Sequence, residues 1–377
     1  MTPLERFHAC MNYQPVDRVP NHEVGVWAQT KLRWKNEGLP ADDLHWDWFT
    51  GEQSRWDMDP REYIPVRYDM IPPFEAKDLS LDPGGETKVV RHANGVVSRE
   101  LITGAAEGMR ASMDEYLSFP VQTPDDWTAL KKRYRAASPS RYPQYWEQFN
   151  LPAWKSRRHP LILGANCSTL GFYWRAREWM GTENLSYAWY DEPRMLHDMM
   201  EFIADFTIET SRPILDRVTP DYIFLNEDMS MKSGPLLSPG TYREFILPRM
   251  KRLVAFFKKA GVPWFVVDSD GDCRLLLPMM MDAGVDAIWP MERPSGMDPL
   301  ALRRQFGRDL RLWGGVDKRE LAKTPADIDA HLRTLEPLVA EGGFIPTVDH
   351  LVPPDVPLAN FEHYMQSKQK LLRGEKF

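Results

Sequence analysis

Cysteine is scarce in this chain. The three among 377 residues, Cys10, Cys167 and Cys273, lie far apart, which excludes a disulfide framework and a paired-cysteine metal knuckle. Long apolar runs are also missing, and no stretch approaches the roughly 18–20 uninterrupted apolar residues of a membrane span. The opening segment MTPLERFHACMNYQPVDR carries charges where a secretory leader has its apolar region. There is no Lys/Arg run, and 47 basic against 54 acidic residues leave a formal charge of −7. Such a chain is a poor partner for the phosphates of nucleic acid. Repeats, low-complexity tracts and Ser/Gly linkers are absent. The expectation is a cytoplasmic enzyme with a small-molecule substrate and neither nucleic acid nor membrane as partner.

What is present is ordinary in bulk, with 43% hydrophobic and 27% charged residues, as in globular proteins. Two counts are high: 32 Pro and 14 Trp. Many prolines open helices. Thr2-Pro3-Leu4-Glu5, Thr123-Pro124-Asp125-Asp126 and Thr324-Pro325-Ala326-Asp327 each offer a hydroxyl N-cap, proline at the first turn and a carboxylate at N3. Proline costs nothing there because its missing N–H would be unpaired anyway, and the acid suits the helix dipole. Ser238-Pro239 opens a helix without the acid.

The second half alternates short apolar runs with amphipathic patterns. The runs start at Leu161, Tyr222, Trp264, Ala287, Leu310 and Gly343, and the intervening helices carry spacings such as Met195, Met199, Phe202, Phe206. Gly261 and Gly284 read as helix ends before the next strand. Strands alternating with helices at this spacing predict a parallel sheet covered by helices. With Val19–Trp27 and a strand near Val89–Leu101, about eight strands are available to close an α/β barrel. We expect one domain over 1–377. Residues 28–155 form an elaboration over the barrel mouth that contains early barrel strands, and 156–377 supply regular β/α units.

In such barrels the reactive groups gather at the strand C-termini. The first strand runs into His22 and Glu23, and the next ends at Asn166-Cys167. The Tyr222 strand ends at Asn226-Glu227-Asp228, and the Trp264 strand at Asp268-Ser269-Asp270-Gly271-Asp272. Glu292, Asp317 and Asp349-His350 follow. Asp and Asn are also frequent turn and cap residues, and Asp272 can cap the next helix. Caps do not account for Glu227 and Glu292. Converging carboxylates and imidazole can bind a divalent cation through oxygen and nitrogen, or form acid–base pairs with separated pKa values. Both readings stay open. His197 and His331 lie on predicted helices and read as surface or packing residues.

Several segments together resemble the uroporphyrinogen decarboxylase (URO-D) superfamily. They are Gly342 to Pro357 (GGFIPTVDHLVPPDVP) followed by Asn360; Trp313-Gly-Gly-Val-Asp317; Ser238-Pro239 with Pro248; Asp17-Arg18-Val19-Pro20; Ser269-Asp270-Gly271; and Ala283-Gly284-Val285-Asp286. The resemblance implies a (β/α)8 TIM barrel with its pocket at the strand C-termini. True decarboxylases of this superfamily grip tetrapyrrole carboxylates with an arginine-rich segment, Trp-x-Met-Arg-Gln-Ala-Gly-Arg. The stretch here is Val26-Trp27-Ala-Gln-Thr-Lys31-Leu-Arg33-Trp34, without the fixed bidentate cations that such a substrate needs. The other branch moves methyl groups to or from a corrinoid protein, its thiol-methylating members binding zinc through His-x-Cys and a later Cys. Asp268-x-Asp270 and His350 (or Asp349) stand in the matching places, so no sulfur ligand is kept. An oxygen-rich site suits a methyl ether, whose leaving oxygen must be polarised or protonated.

The resemblance therefore implies a methyltransferase acting on a small, aromatic O-methyl donor, with a separate corrinoid protein as acceptor. It places Glu227, His350 and Asp268 in the catalytic set. His22, Trp27, Asn166 and Asp317 are expected around the substrate. A divalent metal, zinc by preference, is assigned to Asp268, Asp270, Glu292 and His350. Trp27, Trp34, Trp46, Trp48 and Trp56 can wall an aromatic ligand or simply pack locally. The alternatives are a metal-free decarboxylase of a small acid, a metal-dependent barrel hydrolase or isomerase, and a non-catalytic partner that binds a corrinoid protein or ligand. A homodimer is expected on general grounds.

Overall fold

The computed structural model describes residues 1–40, 55–81, 85–102, 105–106, 109–110, 114–164 and 170–376. Seven parallel strands run side by side in chain order. They are β1 (Glu62–Tyr63), β2 (Leu161–Leu163), β3 (Tyr222–Asn226), β4 (Trp264–Asp268), β5 (Ala287–Trp289), β6 (Arg311–Trp313) and β7 (Phe344–Ile345). Apart from strand ends these residues are almost all buried, as expected for strands covered on both faces. The eighth place is taken by the extended segment 19–27. Val26 bridges Val352 in parallel, and the Val352 N–H donates to Gly25 O at 3.0 Å. On its other side the Asp59 N–H donates to Asn21 O at 2.8 Å. The fold is the expected α/β barrel.

One strand expectation needs correction. Val89–Leu101 is not a barrel strand. It folds into a hairpin, Thr87–Arg91 with Val97–Leu101, inside a four-stranded antiparallel sheet with Lys77–Leu81 and Glu115–Ser118. The Asn94-Gly95 pair, with Gly95 at φ +89°, makes the turn, and such a dipeptide between β-rich runs is a strong hairpin signal. The barrel strand of this region is instead Glu62–Tyr63, too short and polar to stand out by periodicity.

Helix starts follow the predicted chemistry. Thr2, Thr123 and Thr324 each accept from the N3 backbone while Glu5, Asp126 and Asp327 reach back to the cap N–H, and Ser238 accepts from the Thr241 N–H. Gly261 and Gly284 take φ of +90° and +93° just after helices Leu247–Lys259 and Leu277–Asp282.

The first helix, α1 (Pro3–Met11), closes the N-terminal end of the barrel. Phe7 is fully buried, its ring 5.2 Å from that of Tyr222 and 5.5 Å from that of Trp264, the opening residues of β3 and β4. Arg6 and Arg18 both reach Asp59, at 2.6 Å each, which pins α1 and the 19–27 segment to the approach of β1. Bidentate, mostly buried guanidinium–carboxylate contacts of this kind set geometry as well as energy.

Candidate functional site

Strand C-termini converge at the opposite end. β4 ends in Asp268, whose carbonyl accepts from the Glu227 N–H at 2.8 Å, so the exits of β3 and β4 are sewn together. Asp228 follows with φ +44°, a left-handed backbone that Asp tolerates better than most residues. It meets Arg177 Nη2 at 2.8 Å. In the next loop the Gly271 N–H donates to Glu292 Oε2 at 3.0 Å, and Glu292 Oε1 meets Lys318 Nζ at 3.1 Å. His350 Nε2 lies 3.2 Å from Asp270 Oδ2, and its ring stacks on Trp27 with centroids 6.0 Å apart. Segments from both ends of the chain thus contribute to one face.

The electrostatics favour retained protons. Burial, then the charges of Asp270, Asp228 and Glu292, push the Asp268 carboxyl well above the usual range. Burial likewise raises Asp228, with Asp270 adding to it and Arg177 opposing. Burial is the largest influence on His350 and works against its charge, but the hydrogen bond and charge of Asp270, with the charge of Glu292, together outweigh it and the imidazole pKa rises. Like charges at short range cannot all ionise, so the cluster can hold and deliver protons.

The other expected site residues have different surroundings. Glu227 is fully buried and accepts from the backbone N–H groups of Phe172 (3.0 Å) and Tyr173 (2.7 Å), the opening of α2 (Phe172–Met180). Burial raises its pKa to about 7 despite those bonds. Asp317 caps helix Lys318–Leu321 and pairs with Arg319 at 2.7 Å. That capping bond and ion pair already occupy its carboxylate. His22 lies inside the barrel, stacked 5.3 Å from Trp313 with both ring nitrogens buried and unpartnered. Glu23 beside it pairs with Lys368 at 2.6 Å, both fully buried. Asp349 accepts from the Arg293 and Lys318 N–H groups at 2.9 and 3.1 Å, tying three loops together. Asn166 lies outside the described residues, as do Trp46 and Trp48. Trp34 and Trp56 pack on Phe361 of the C-terminal helix, at 4.8 and 5.1 Å.

Arg177 and Lys318, two cations of this face, escaped the sequence reading. Lys318 follows the Asp317 motif directly, whereas Arg177 lies on a helix with no local signal.

The donor types around His350 are those of an oxygen/nitrogen site for a hard or borderline divalent ion. His350 Nε2 and Asp270 Oδ2 are 3.2 Å apart, close to the roughly 3.3 Å between two ligands of a tetrahedral zinc with bonds near 2.0 Å. Among the described residues, no third donor joins this pair within 4.8 Å. Asp268 or Glu292 would have to turn inward to complete a site.

A family model described as uroporphyrinogen decarboxylase (URO-D) matches residues 116–371. The chain belongs to the uroporphyrinogen decarboxylase family. Curated relatives include a uroporphyrinogen decarboxylase of Chlorobium luteolum, 28% identical over 222 residues, which cover 54% of this chain and 58% of the relative. A methylated-thiol–coenzyme M methyltransferase of Methanosarcina mazei is 26% identical over 190 residues, 50% of this chain and 48% of that one. The chain thus spans about half the length of the curated relatives it matches. Among solved structures, a methyltransferase from Methanosarcina mazei superposes with a TM-score of 0.64 over 98% of this chain and 99% of that one, at 15% identity. That likeness supports the family's barrel fold. No helix among the described residues is long and apolar enough to cross a membrane.

Proposed function

We propose that this protein is a methyltransferase of the URO-D superfamily that takes a methyl group from a small aromatic O-methyl compound and passes it to a corrinoid protein. One observation carries the reading. Among the described residues, the cations of the mouth named above already face carboxylates, Arg177 with Asp228, Lys318 with Glu292 and Arg319 with Asp317, while their surroundings shift His350 and Asp268 towards their protonated forms. A polycarboxylate such as uroporphyrinogen needs open guanidinium forks, and an ether needs a proton for its departing oxygen. The methyltransferase among the relatives and the methyltransferase superposition lend family-level support.

Trp27 offers its ring beside His350, a flat apolar wall for an aromatic donor. The O–CH3 bond breaks, its electron pair stays on oxygen, and the imidazolium of His350, held at Nε2 by Asp270, gives its Nδ1 proton to that oxygen. Asp270 holds the ring in place and favours its charged form. Asp268 keeps the surroundings acidic. The corrinoid partner supplies the methyl acceptor. If a divalent ion, zinc by preference, is held by His350 and Asp270 with Asp268 or Glu292, it supplies polarisation of the same oxygen.

The test mixes the purified protein with a Co(I) corrinoid protein and a panel of aryl methyl ethers, following the corrinoid spectrum. Conversion to the methylated form with at least one ether is expected, and none across the panel sinks the proposal. Uroporphyrinogen should yield no carbon dioxide above the blank.

A further inference from the structure

Outside the barrel strands, the antiparallel sheet gathers a second set of metal-ligand side chains. His92, Glu100 and Asp114 each place a donor atom within 4.8 Å of the other two, all three half-buried. Their placement follows from register. Val90 pairs with Ser98 and Lys88 with Glu100, while Ser98 pairs with Tyr116 and Arg99 with Glu115. Alternation along strands then puts His92, Ser98, Glu100 and Asp114 on one face, drawn from three chain segments. His92 Nε2 is 3.1 Å from Glu100 Oε1 and 2.7 Å from the hydroxyl of fully buried Ser98.

We propose that His92, Glu100 and Asp114 form a divalent transition-metal site, best suited to zinc, that clamps this sheet. One imidazole nitrogen with two carboxylates is a common zinc-ligand mixture, and a fourth position remains for water. Ser98 is the outer partner, its buried hydroxyl donating to Glu100 Oε1 at 3.4 Å and so orienting that carboxylate, a role that hydrogen bonds to ligating carboxylates play around metal sites. An access path is at hand. His92 also lines a cavity of about 410 Å³ with Arg67, Asp69, Arg175 and Glu178, which connects the imidazole to solvent. The site is separate from the His350 pair, so it stands whether or not the mouth binds a metal.

Chelator-stripped full-length protein is titrated with ZnCl2 and CoCl2, with metal content, cobalt d–d absorption and thermal midpoint as readouts. Glu100→Gln and His92→Ala should each lose one equivalent per chain and the zinc-dependent rise in midpoint. Ser98→Ala should weaken binding by about 10–100-fold. His350→Gln is measured in parallel and should keep this equivalent. Unchanged stoichiometry and midpoint rise in the isosteric Glu100→Gln variant, with circular dichroism showing it folded, overturns the proposal. Loss of all bound zinc in His350→Gln alone also overturns it.

Discussion

His350 and Glu227 both stood out in the sequence as acid groups at strand ends, yet their surroundings separate them. His350 keeps part of its surface open, stacks on Trp27 and holds Asp270. Glu227 is sealed against the start of α2 and accepts its backbone N–H groups. Under the proposed chemistry, His350→Ala should abolish methyl transfer and leave the thermal midpoint near wild type. Glu227→Ala leaves two buried N–H groups unsatisfied and should cost about 1–3 kcal/mol in a denaturant titration. Wild-type turnover by His350→Ala would remove it from the site. The pH dependence of stability should also reflect Glu227. Its folded pKa, about 7, lies above the ordinary value of 4.5. Its favourable contribution is therefore full below 4.5 and fades as pH rises towards 7. Glu227→Gln should flatten that decline in unfolding free energy between pH 4.5 and 7. An identical pH profile in the variant would show that Glu227 ionises without penalty.

Among the elements, α2 and β3 fit together through one glycine. A Cβ placed on Gly171 would lie 1.8 Å from the Asn226 carbonyl oxygen and 3.4 Å from Glu227 Oε2. Gly171→Ala must push the helix start off the strand and should cost about 1–3 kcal/mol. A midpoint equal to wild type would mean that the two elements shift apart freely. Element identity was largely legible beforehand. Six barrel strands, the capping boxes and the glycine helix ends all depend on neighbours a few residues apart, and short-range chemistry specifies them. The Thr87–Leu101 hairpin is legible in principle from Asn94-Gly95, whereas its place outside the barrel depends on pairing with Lys77–Leu81 and Glu115–Ser118. Glu62–Tyr63 was not legible, because a two-residue strand owes its existence to pairing with Leu161–Ile162.

For the whole molecule, tryptophan and the N-terminal helix take on clear roles. Among the described residues, nine tryptophans, Trp34, Trp154, Trp264 and Trp313 included, are buried in the core, and Trp27 stacks beside His350. Phe7 fills the barrel end between Tyr222, Trp264 and Trp313. Phe7→Ala should cost about 3–5 kcal/mol, read as a lower denaturant midpoint. A loss below 1 kcal/mol would show that α1 is peripheral to barrel stability. Composition, cap chemistry and periodicity were enough to establish a helix-covered α/β barrel and a carboxylate-rich strand-end face, because those features are written in residues near one another. Only the folded chain decided which acids stay poised. Arg177, Lys318, the α2 backbone and Arg319 reach Asp228, Glu292, Glu227 and Asp317 across 51, 26, 55 and 2 positions respectively. Such pairings set charge and protonation, and all but the last come from contacts that no local pattern records.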